Sequence, residues 1–133
     1  DAPGYHNQPF FDLPTQSLFF TAMVNAEQTD WFRYDLDSGE TTNLTRSKTS
    51  EYSPTVTPDG KHLSGILVDD SGKQWLWQST LAGEPQGKLL AAEPIGYHTW
   101  LNDNEVLVFV LGKEATPIHT LQRFPSHYSV AQR

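Results

Sequence analysis

The stretch Ser53 to Gly65, SPTVTPDGKHLSG, constrains the fold most, because it joins a short β-branched run to a Pro-Asp-Gly turn and a second apolar run. Pro at position 58 presets φ near −65° and Gly60 admits the left-handed conformation that closes a short hairpin. Weaker copies stand on either side. Pro54 follows Pro9 by 45 residues and Leu81 follows Leu36 by 45, while His98 follows Pro54 by 44, which sets Val56 against Trp100 and Asp59 against Asp103. A period of about 40 to 45 residues with four strands per unit is the signature of propeller blades. An ordinary sandwich needs no repeat.

Periodicity supplies the strands. The first copy predicts Gln8–Phe11, Ser17–Val24, Trp31–Leu36 with Phe32, Tyr34 and Leu36 on one face, and Thr41–Thr45. After a polar connection over Arg46–Glu51, the second predicts Ser53–Thr57, His62–Asp69, Gln74–Thr80 and a weak Gly87–Leu90. Ala91–Ile95 then connects to a third copy. There His98–Glu105 replaces the first strand and turn, followed by strands Val106–Leu111 and Ile118–Gln122, a turn over Arg123–Ser126 and a last strand His127–Ala131. The expectation is an all-β chain of about three four-stranded antiparallel meanders. They form one propeller segment over 1–133, with blade-like repeats at about 7–50, 52–95 and 96–133.

Composition narrows the function. Sixteen acidic against nine basic side chains leave a formal charge of −7, and no basic run is present to follow a phosphate backbone, so nucleic acid is not an expected partner. The absence of cysteine removes disulfides, thiolate metal sites and thiol nucleophiles. The longest apolar run, Val106–Leu111, is strand-length and far short of the ~20 residues of a membrane-spanning helix. The chain begins at Asp1, as a processed or cut form would.

The residues of the middle copy carry a family resemblance. YSPTVTPDGKHLSG resembles the Tyr-Ser-Pro-x-x-Ser-Pro-Asp-Gly-Lys-x-Leu repeat of TolB-type, WD-like β-propellers, and YDLDSGETTNLT resembles the third-to-fourth strand hairpin of their blades. The first copy departs at Asp12-Leu13-Pro14 and the third at Asn102-Asp103-Asn104, both keeping turn-forming types. The resemblance implies a periplasmic or secreted setting and protein partners. Propellers close with about 4 to 8 blades, so three blades imply a segment of a longer propeller or a subunit whose ring is completed by self-association.

Single residues yield little chemistry. Asp35, Asp37 and Gly39, and likewise Asp69 and Asp70, lack calcium-loop spacing and read as hairpin turns. His6, His62, His98, His119 and His127 contain no short-spaced metal pair, and neither a metal nor another cofactor is expected. Trp31, Trp75, Trp77 and Trp100 could stack a sugar or peptide, but packing between blades is the favoured reading. Ser38, Ser64 and Ser71 each precede a glycine, yet no G-x-S-x-G elbow or phosphate loop occurs, so no catalytic residue is assigned. The Gly-Tyr-His tripeptides at 4–6 and 96–98 lie three residues out of register with the repeat.

The expected function is a non-enzymatic module binding a protein, peptide or glycan at the channel face. The positions entering the innermost strands, Tyr5, His6, Asn7, Tyr52, Tyr97 and His98, are the candidate ligand contacts. The alternative is the substrate-gating propeller of a prolyl-oligopeptidase-like serine hydrolase whose catalytic domain lies outside this chain.

Overall fold

The computed structural model describes residues 4–112 and 120–125. They form three antiparallel sheets. The first runs β1 (His6–Asp12), β2 (Ser17–Met23), β3 (Thr29–Asp35) and β4 (Thr41–Asn43); the second β5 (Ser50–Val56), β6 (His62–Val68), β7 (Gln74–Thr80) and β8 (Pro85–Lys88). In the third, β10 (Glu105–Val110) lies between β9 (Ile95–Asn102) and β11 (Thr120–Pro125). Each strand pairs with its successor, so every sheet is a meander. The expected last strand, His127–Ala131, lies outside the described residues, as do His119 and His127.

Alternation along β6 shows how the sheets stack. Leu63 joins Phe19, Trp31 and Val56 in one apolar cluster, whereas Ile66 joins Leu76, Leu90, Ile95, Val106 and Val108 in another. The first cluster fills the seam between sheets one and two, the second that between sheets two and three. The middle sheet is therefore buried on both faces. Phe32 and Tyr34 are half-buried on the opposite face of sheet one, where Phe32 stacks on Phe20 with ring centroids 5.7 Å apart.

Several expected bounds are corrected. β5 begins at Ser50 and contains Glu51, which the polar run Arg46–Glu51 had placed in a connection; Glu51 is only 2% exposed. β8 is Pro85–Lys88 rather than Gly87–Leu90, because Leu89 and Leu90 leave the ladder to fill the second seam. β9 starts at Ile95, not in the third copy's His98. The turn expected over Arg123–Ser126 is strand as far as Pro125: Arg123 pairs with Leu107 and Pro125 with Glu105. There Pro125 ends a strand, one of the positions at which a missing N–H costs no ladder bond.

Candidate ligand-binding site

The three first strands present one common rung. Asn7 stands opposite Thr21, Tyr52 opposite Ile66 and Tyr97 opposite Phe109, and consecutive members are 45 residues apart. The ladder shifts between Asn7 and Phe10 and again between Tyr52 and Thr55. At each shift one residue adopts positive φ, 54° for both Gln8 and Ser53. The extra residue of a bulge re-aims the strand. The bulges also join the sheets, since the Ser53 amide donates to Gln8 Oε1 at 2.9 Å and to Thr21 Oγ1 at 3.1 Å.

On sheet one, Tyr5, His6 and Asn7 are exposed and mutually braced. Asn7 Nδ2 donates to the Tyr5 hydroxyl at 3.1 Å, Asn7 Oδ1 accepts from the Gln8 amide at 2.7 Å, and the His6 ring tilts over Phe20 at 6.4 Å. Tyr52 is half-buried against the second apolar cluster, and its carbonyl accepts from Trp31 Nε1 at 3.2 Å. Tyr97 is 60% exposed and leans on Phe109 at 6.3 Å. The repeated tripeptide is not a structural repeat: Tyr97 shares its rung with Asn7, whereas His6 sits one rung away, opposite Ala22.

His98 is turned into the second seam. Its Nε2 lies 2.8 Å from Ser64 Oγ, which also accepts from Trp100 Nε1 at 2.9 Å, while Nδ1 is buried without a partner. Burial disfavours the charged imidazolium and pulls the pKa down to about 4. A Ser–His contact of this length is what a nucleophile and its base require, but an attacking hydroxyl must be reachable and the base needs an orienting acceptor on its other nitrogen. Ser64 is fully buried and Nδ1 has no carboxylate partner. The trio is a polar clamp between sheets two and three. Sequence singled out Ser64 and His98 separately, but nothing in a span of 34 residues pairs them.

The acidic turns are internally satisfied. Asp35 Oδ1 accepts from the amides of Ser38 and Asp37, and Asp69 accepts from the Ser71 hydroxyl, the Trp75 indole N–H and the amides of Lys73 and Ser71, so both carboxyls are held below the usual carboxylate range. Of the four Trp residues, Trp31 and Trp75 are buried between sheets, while Trp77 and Trp100 are half-buried. Among the described residues no helix is long and apolar enough to cross a membrane.

No protein-family model and no curated protein matches the sequence. Solved structures do match. A putative TolB from Agrobacterium tumefaciens superposes with a TM-score of 0.76 at 15% identity, over 94% of this chain and 46% of that one. The fold is that of the TolB-type β-propeller. TolB from Acinetobacter baumannii gives a TM-score of 0.70 at 17% identity, covering 90% of this chain and 30% of its own. The chain thus spans less than half the length of either structure, and its three meanders match propeller blades.

Proposed function

We propose that this chain is a non-enzymatic propeller module in which the inner ends of the blades bind a protein, peptide or glycan. Tyr5, His6, Asn7, Tyr52 and Tyr97 are its contact positions, and His98 holds the third blade in place behind them. The carrying observation is the common rung of Asn7, Tyr52 and Tyr97, because equal rungs on successive innermost strands lie at one level along the channel once a ring is closed. Exposed Tyr and Asn side chains suit such a role, offering large rigid contact area and adaptable hydrogen bonding. The closed Ser64–His98 pair lends no support to a hydrolytic role. A periplasmic or secreted setting belongs to the same proposal.

Completion of the ring is part of it. Phe20 and Phe32 on the outer face of blade one, and the exposed Leu101 of blade three, match the residues that fill the internal seams in kind. Further blades, from a longer parent chain or a second copy, would cover both faces. A screen of immobilised peptides and glycans tests the binding role. Hits should weaken by roughly tenfold or more in Tyr97→Ala and Asn7→Ala and be unchanged in Lys61→Ala, at a distant turn. Hits indifferent to the inner-strand substitutions would overturn the assignment.

A further inference from the structure

The outer part of the seam between blades one and two holds a cavity of about 370 Å³, within the range of small-molecule sites. Both walls are made by this chain, so the cavity does not depend on how the ring is completed. Trp75 and Trp77 project from the same face of β7, Trp31 closes the floor, and Lys88 on β8 stands at the edge. Lys88 Nζ lies 3.4 Å from the centroid of the Trp75 ring, an indole-held ammonium.

The charged groups bordering this space differ in what they have left to offer. Asp69 Oδ2 accepts from Trp75 Nε1 at 2.8 Å, while Oδ1 takes the Ser71 hydroxyl and two backbone amides. Glu51 Oε1 accepts from the Ser47 and Thr49 hydroxyls at 2.5 and 2.6 Å; Oε2 has no partner but is buried with the rest of the side chain. Lys88 forms no ion pair among the described residues and is exposed. The space therefore offers indole faces and one unpaired cation.

We propose that this cavity binds a small aromatic carboxylate, its ring stacked on Trp77 and its carboxylate paired with Lys88. A cationic ligand would have to displace Lys88 from the indole face it already occupies. A sugar would set hydroxyls against indole carbons, with Asp69 already committed to internal donors and the unpartnered Glu51 Oε2 buried out of a ligand's reach. The chemistry fits either a free arylalkanoate or the C-terminal aromatic residue of a peptide, and those two sources differ only beyond the carboxylate-bearing unit.

Titration calorimetry of the full chain with N-acetylphenylalanine, its carboxamide and a pentapeptide ending in phenylalanine tests this. The acid should bind about tenfold more tightly than the amide, the increment of one charge-assisted contact. Lys88→Met should erase that difference, and Trp77→Ala should weaken both ligands by about tenfold or more, with melting temperatures of both variants checked against the parent. If the pentapeptide binds at least as well as the free acid, the source is a chain terminus; if only the free acid binds, it is a small molecule. Equal affinity for acid and amide, or no saturation by any of the three at about 10 mM, would overturn the proposal.

Discussion

The indole of Trp31 occupies the space that a side chain at Gly65 would need. A Cβ at Gly65 would stand 2.3 Å from Trp31 Cζ2 and 2.7 Å from the Tyr52 carbonyl oxygen. The contact joins β3 of one blade to β6 and β5 of the next, and the same indole donates to that carbonyl. Small and large residues therefore interlock across the first seam, where close-packed interiors leave no slack.

Gly65→Ala should accordingly destabilise the chain at the upper end of the range for overpacked cores, about 3 kcal/mol, because one obstacle is backbone and cannot rotate away. Trp31→Ala should cost a similar or larger amount, about 3 to 5 kcal/mol, through cavity formation. Urea unfolding measures both. A Gly65→Ala protein within about 0.5 kcal/mol of the parent would show that the seam is looser than described.

Burial of His98 predicts a pH dependence of one sign. Its folded pKa of about 4 lies below the ordinary value of 6.5, so between these limits the unfolded chain binds more protons and stability falls as pH falls. The contribution is complete above about pH 6.5, declines toward pH 4 and levels off below. Each tenfold weakening of proton binding in the folded chain is about 1.4 kcal/mol of this effect. Unfolding free energies of the parent and His98→Gln, compared at several pH values, should diverge in slope over this window. Parallel curves would mean that the imidazole protonates as easily folded as unfolded.

Glu51 should act in the opposite sense. Desolvation raises its pKa above 4.5 more than the Ser47 and Thr49 hydroxyls lower it, and Asp30 adds repulsion. The folded chain then holds the proton more tightly, and stability declines as pH rises from about 4.5 through the raised value. Glu51→Gln should remove this decline, leaving the variant relatively more stable at neutral than at acid pH. Denaturation midpoints at pH 4 and pH 7 decide it, and an unchanged difference between parent and variant at the two values would contradict the assignment.

How much of this was legible depends on whether the cause is local. The third strand of the middle blade was readable to the residue, Gln74–Thr80, because QWLWQST alternates and turns bound it. The 45-residue period was also local information, and it reappears as the shared rung of Asn7, Tyr52 and Tyr97. By contrast, Glu51 in a polar run signals a connection, and only the seam, with Ser47 and Thr49 folded over its carboxylate, explains a buried acid in a strand. The turn of His98 toward Ser64, like the meeting of Trp31 with Gly65, is set by how one blade's register falls against the next. No residue pattern within a single blade encodes that offset. Candidate contacts could thus be named by strand level, while which of them face outward and which into a seam required the stacking itself.

The repeated bulge offers a last test, and it separates backbone strain from packing. Ser53 sits at φ 54°, where a Cβ is disfavoured, and its hydroxyl is buried without a partner. Glycine at this position removes both penalties while keeping the amide that donates to Gln8 and Thr21. Against this, glycine gains entropy in the unfolded chain, a loss of roughly 0.5 to 1 kcal/mol of stability. The two relieved terms, about 1 kcal/mol each, outweigh it, so Ser53→Gly should stabilise the chain by on the order of 1 kcal/mol. Ser53→Ala keeps the strain and loses only the orphaned hydroxyl, and should gain less. If alanine stabilises as much as glycine, the left-handed backbone of the bulge carries no strain and the hydroxyl alone accounts for the effect.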